Sequence, residues 1–310
     1  MNDENKIIGD QEHGKIEELL KKAGKDRVVN EVVEGARKPK VSSLGPIIAA
    51  KPIEKIREPW KEAKVRAVAY HPDSRHIVTG NDKGEVRLFE LDEKKGLILH
   101  KIAKASDSGV YGLSYGMDGR FLAAAGADKM LRTFDTGLGF LDNKLSLHQE
   151  HGDFVYGVDF SPDNKHIVTT CNDGYVRIFE FKCIDVKEIG KQEYNAWGIA
   201  FAPNGMHLVA GAGKKIRFLE FDKNEIFNST ALKPFDIGKP IYGVDFSPDG
   251  IHVAVGSDDG VGIYRFLDDY DALQVPHPEP VCGVAFSPDG KNLATVCNDC
   301  YLRIFELKRK

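Results

Sequence analysis

The chain lacks most of the features that assign a protein to a class at first reading. Five cysteines in 310 residues make no disulfide framework, so a reducing compartment, cytoplasmic or nuclear, is expected. No run approaches the ~18 apolar residues of a membrane-spanning helix. Residues Met1–Asn5 are polar and carry no apolar stretch of a secretory signal. Neither sign of charge dominates: 43 Lys and Arg against 47 Asp and Glu leave a formal charge of −4. There is therefore no basic excess to attract nucleic acid and no acidic tail. A phosphate-binding glycine loop and a serine nucleophile elbow are also missing. No cofactor and no resident metal are expected. The composition is otherwise ordinary, 42% hydrophobic and 29% charged, and the length suffices for one large core or two smaller ones.

What the chain does have is a repeat. The stretch Val155–Phe181, VYGVDFSPDNKHIVTTCNDGYVRIFEF, opens on an apolar run and turns on Ser161-Pro162-Asp163-Asn164. It resumes at Ile167-Val168, turns again on Asn172-Asp173-Gly174, and closes on Val176, Ile178 and Phe179. Pro, Gly, Asn and Asp between short β-branched and aromatic runs predict strands joined by tight turns. Five related copies begin at Val65, Val110, Ala196, Ile241 and Val281. A unit recurring every forty to forty-five residues, with three or four strands in each, predicts a β-propeller of four-stranded blades. Alternate positions of the first strand are small, as in Gly157/Asp159 and Gly198/Ala200. Innermost strands converging on a central axis require that on one face.

These repeats resemble the WD40 family, and the resemblance covers at least residues 52–307. The family's marks are a Gly-His pair before strand one, an Asp before strand three and a terminal Trp-Asp. Here Phe89-Glu90, Phe134-Asp135, Phe179-Glu180 and Phe305-Glu306 stand in place of Trp-Asp. The His position is kept only by His151 and His277, and the Asp by Asp128, Asp173, Asp259 and Asp299. The resemblance implies hydrogen-bonded pairs, His151 with Asp173 and His277 with Asp299, that hold their own blades.

Residues 1–50 read as an N-terminal segment and residues 51–310 as the propeller. Ile16, Leu19, Leu20 and Ala23 have helical spacing, ending near Gly24. Two closures are open. In one, Pro52–Arg57 completes the last of six blades and the first fifty residues are an appendage. In the other, Lys6–Ile8 completes the last of seven and residues 15–57 are a degenerate blade. The likeness of Gln11–Gly14 to Gln149–Gly152, and the chain length divided by the repeat period, favour seven.

Several constellations invite a chemical reading. Cys297-x-x-Cys300 has half of a zinc-site spacing, but Cys297 aligns with Cys171 and Cys300 with Gly174, and no second pair follows. Asp258-Asp259 sits in a turn, where Asp caps backbone. Arg87, Arg132, Arg177, Arg217 and Arg303 share one strand-three position. A propeller spreads them one per blade, which suits salt bridges better than phosphate binding.

The remaining candidates form two rings at the channel mouth. The second residue of strand one is, in order, Arg66, Tyr111, Tyr156, Trp197, Tyr242 and Cys282. Lys64, Phe154 and Asn195 stand two places earlier. Aromatic side chains with an Arg suit a binding hot spot. The competing reading puts them in the core, because positions 156, 158 and 160 alternate onto one packed face. The expectation is a non-catalytic scaffold, itself a subunit of a complex, that binds a peptide or protein through Lys64, Arg66, Tyr111, Phe154, Tyr156, Trp197 and Tyr242. A structural subunit joined through blade edges is the second reading, and a propeller hydrolase or lactonase the third.

Overall fold

The computed structural model describes residues 47–55, 63–136, 147–182, 185–222, 225–228, 233–265 and 272–309. The regular elements among them are 25 strands in six antiparallel sheets. Blade three is typical, with Val155–Phe160 innermost, then His166–Cys171, Tyr175–Lys182 and Asp185–Glu193. Blade four adds a short pair, Phe235–Asp236, alongside Lys215–Asp222.

Successive strand residues point to opposite faces, and each blade has a neighbour on both. Ile167 and Phe179 of blade three therefore join Phe121 and Leu131 of blade two. Their chain neighbours Val168 and Ile178 join Leu208 and Leu219 of blade four. Burial on both faces explains why these strands read as continuous apolar runs. Each fully buried Ile or Phe contributes roughly 1.5–3 kcal/mol.

Such clusters occur between every adjacent pair of blades, and the last one closes the ring. Val65, Ile77 and Phe89 of blade one pack directly on Ala294, Leu302 and Ile304 of blade six. The expectation of seven blades is thereby corrected to six. The outer neighbour of the final strand, Leu302–Arg309, is Ile47–Lys55, close to the Pro52–Arg57 of the six-blade alternative. Two side contacts reinforce this closure. The Ile47 backbone N–H donates to His252 Nε2 at 3.3 Å, and Arg309 pairs with buried Asp249. Length divided by period carries no information on which segment pairs with the final strand. The suggested closing strand Lys6–Ile8 and helix Ile16–Ala23 lie outside the described residues.

Small residues where the inner strands meet have a direct cause. A Cβ on Gly157 would fall 2.8 Å from the Trp197 carbonyl oxygen, and one on Gly198 would fall 2.9 Å from the Val244 nitrogen. Neighbouring backbones approach too closely there for any larger residue.

Candidate functional site

The mouth residues owe their position to a repeated irregularity. In blade three Val155 pairs with Cys171 and Gly157 with Thr170, so Tyr156 is left over as a bulge. The same slip leaves Arg66, Tyr111, Tyr242 and Cys282 unpaired. In blade four the paired strand starts only at Gly198, one residue after Trp197. A bulge breaks the two-residue alternation and re-aims its side chain. This is why Tyr156 does not follow Val158 and Phe160 into the core, where both are buried.

Arg66, Tyr111, Tyr156, Trp197, Tyr242 and Cys282 together line one cavity of about 270 Å³. Four aromatic rings run in sequence around it. Tyr111 and Tyr156 stack with centroids 5.7 Å apart, and Trp197 and Tyr242 stack at 5.3 Å with planes 10° from parallel. Tyr156 meets Trp197 edge-on at 6.1 Å. Trp197 is 37% exposed and Phe154 38%, too much for core residues, and the other mouth rings are half-buried. Lys64 and Asn195 are exposed on the loops leading into strand one.

The polar members of the ring are held in place. Arg66 Nη1 donates to Asn298 Oδ1 at 2.9 Å, tying blade one to blade six. Tyr242 donates to Asp258 Oδ1 at 2.8 Å, and burial together with that carboxylate pushes its phenol up to about 12. Burial also raises the Cys282 thiol, despite Arg66 beside it. A neutral thiol is a poor nucleophile, so the mouth has no activated cysteine.

Deeper in the channel lie two carboxyl groups that the small-residue pattern had absorbed, Asp159 and Asp245. They line a cavity of about 150 Å³. Asp159 Oδ1 accepts from Ser114 Oγ of blade two at 2.7 Å, and Oδ2 from the Phe201 N–H of blade four at 2.7 Å. Asp245 Oδ2 accepts from the Phe286 N–H of blade six at 2.7 Å. They stitch inner strands to one another across blades. Burial raises Asp159 to about 6 and Asp245 well above the usual carboxylate range.

The histidine–aspartate pairs take other partners. His151 Nε2 meets Thr169 Oγ1 at 2.9 Å, and His277 Nε2 meets Thr295 Oγ1 at 2.9 Å. Asp173 instead receives Arg177 through both oxygens, at 3.0 and 2.5 Å, and Asp299 receives Arg303 in the same way. The guanidinium forks match the carboxylates bidentately, so the direct His–Asp bond expected from the resemblance is displaced. Burial, then the nearby Arg177 charge, lowers His151 to about 4. The shared repeat position of Thr169 and Thr295 was the signal available for these partners. Arg87 pairs with Glu85 and Arg132 with Asp128, whereas Arg217 lies over the Tyr194 ring. Cys297 donates to the Glu279 carbonyl at 2.9 Å as Cys171 does to that of Asp153 at 3.2 Å. The two cysteines are equivalent repeat positions.

Comparison with known proteins agrees with this geometry. The profile of the WD domain, G-beta repeat, matches residues 51–90, 98–135, 143–180, 235–261 and 272–306, more than half of the chain. Polyadenylation factor subunit 2 of Cryptococcus neoformans is 25% identical over 139 residues, 45% of this chain and 18% of that protein. The Protein LST8 homolog of Drosophila melanogaster is 27% identical over 45% of each chain. Autophagy-related protein 18 of Meyerozyma guilliermondii is 36% identical over 32% of this chain and 17% of its own length. The aligned stretch thus spans less than half of each relative.

Proposed function

The chain belongs to the WD-domain, G-beta repeat family, and from that premise we propose that it is a non-catalytic scaffold holding a peptide or protein at its channel mouth. One observation carries the reading: five inner-strand bulges, with Trp197 just before the inner strand of blade four, turn six side chains to a single cavity, four of them contiguous aromatic rings. Aromatic anchors bury large areas with little loss of rotamer freedom and dominate binding energy at interfaces. The half-buried rings offer one face to a partner while their backbone is fixed by the blades. Lys64, Phe154 and Asn195 form the outer rim of the same surface.

Assembly into a larger complex fits this role. One relative is by name a subunit of a polyadenylation factor. Enzymatic readings fare worse. The mouth thiol is neutral, and the channel carboxyls accept bonds from strand-linking donors. Four free cysteines among the described residues suit a reducing cytoplasmic or nuclear setting. The test is affinity purification with Trp197→Ala beside the wild type. The variant is expected to keep its melting temperature within about 2 °C, since an exposed side chain contributes little to folding, and to lose the co-purifying partner. Unchanged capture by a folded variant would rule out the mouth as the binding surface.

A further inference from the structure

The turn between the first two strands of blade one, at the end of the blade opposite the mouth, differs from its counterparts. In blades three, five and six this turn begins with Ser161, Ser247 and Ser287. Each serine donates to the Asp two residues on, Asp163, Asp249 or Asp289. It also accepts an N–H at 2.9 Å from His166, His252 or Asn292. Blade one has His71 at the serine position. The turn forms all the same, with His71 N–H to the His76 carbonyl at 2.9 Å and Ser74 N–H to the His71 carbonyl at 3.0 Å. The serine-led turns of the other blades make the same two backbone bonds without an imidazole, and the His71 ring adds one of its own, with Nδ1 accepting the Asp73 N–H at 3.2 Å.

What the imidazole adds is a convergent donor set. His76 Nδ1 lies 2.6 Å from Asp73 Oδ2, and His71 Nδ1 lies 3.1 Å from the same oxygen. All three atoms fall within 4.8 Å of one another. The equivalent His–Asp separations in blades three and five are 3.9 and 3.8 Å, so only blade one draws the ring onto the carboxylate. The groups are oriented by their surroundings. The Nε2 edge of His71 abuts Gly119, which has φ +71°, and its ring stands edge-on to Tyr115 at 5.0 Å. Asp73 Oδ1 is occupied by the N–H groups of Arg75 and His76, at 2.8 and 2.9 Å. That leaves Oδ2 facing the two imidazoles. Side-chain exposures of 29%, 35% and 35% give an ion access from solvent.

We propose that His71, Asp73 and His76 form a binding site for a divalent transition-metal ion of the zinc class. Two imidazole nitrogens and one carboxylate oxygen favour Zn²⁺ over Mg²⁺ or Ca²⁺, which take all-oxygen shells. Tetrahedral zinc needs donors about 3.3 Å apart, so the present 2.6 and 3.1 Å separations open only slightly. The ion replaces the proton shared between His76 Nδ1 and Asp73 Oδ2, which leaves to solvent, and takes the His71 Nδ1 lone pair in place of the Asp73 N–H, which turns to water. Water completes the fourth position. His100 stays outside the set, because its Nε2 meets Glu90 Oε2 at 2.6 Å.

The test uses chelator-stripped full-length protein titrated with Zn²⁺ by calorimetry and with Co²⁺ by visible absorption. One equivalent of Zn²⁺ should bind at micromolar concentration and raise the melting temperature. His71→Ser, which installs the residue of blades three, five and six, should weaken binding at least tenfold without changing the metal-free melting temperature. His76→Asn, the residue of blade six, should do the same, and His100→Gln should bind like the wild type. The proposal is overturned if the wild type takes up no zinc under these conditions. It is equally overturned if either of the first two variants binds as tightly as the wild type, or if His100→Gln is the one that abolishes binding.

Discussion

Replacing Asp159 with Asn should stabilise the protein, and should do so only above mildly acidic pH. Burial lifts the Asp159 carboxyl from 3.8 to about 6. A group whose folded pKa is raised contributes stability that is fully present below pH 3.8 and lost as pH rises through 6. Above that point the folded state must carry a charge in the channel wall. Two units correspond to about 3 kcal/mol. Asp159 lines the channel instead of lying sealed in a core cluster, and channel water screens part of the charge. On the order of 1–2 kcal/mol is therefore expected. The amide can keep both partners, accepting from the Phe201 N–H and donating to Ser114 Oγ, whose hydroxyl can turn. Urea midpoints measured from pH 4 to 8 should show the variant level with the wild type at the acid end and ahead of it at pH 8. A difference that does not change with pH, or one that favours the wild type at pH 8, would refute the reasoning.

Two further outcomes follow from the fold. Thr169→Val leaves buried His151 without its partner and should cost about 1–3 kcal/mol. A double-mutant cycle should couple Thr169 to His151, and Asp173 to Arg177 in place of His151; additivity between Thr169 and His151 would contradict the geometry. Deleting Ile47–Lys55 exposes the final strand as an unpaired edge. A lower melting temperature and aggregation on size-exclusion chromatography are expected, whereas a monomer of unchanged melting temperature would show that closure contributes nothing.

The fold was legible in the sequence because its signals are local and repeated six times. Turn residues such as Ser161-Pro162-Asp163 fix where strands end, and Gly157 and Gly198 mark where backbones nearly touch. Blade number was not legible, since it depends on which distant segment pairs with Leu302–Arg309, and strand pairing over such separations leaves no periodic trace. The mouth ring could be found from repeat alignment, but strict alternation would bury Tyr156. Only the bulge, which depends on inter-strand register, resolves that conflict. The His151 partner was misassigned because Arg177, itself visible four residues after Asp173, competes for the carboxylate more effectively than a neutral imidazole. Asp159 and Asp245 passed as small residues, and their role in stitching blades needed three dimensions.

The central claim is that partners dock on the channel mouth, and site-specific photo-crosslinking tests it most directly. A photoreactive phenylalanine analogue would be placed at Trp197 in the ring and, separately, at Leu99, which is 46% exposed on the outer strand of blade one. The account predicts a discrete crosslinked partner from position 197 and none from position 99. A crosslink from position 99 with none from position 197 would contradict it and move the interaction to the blade edge.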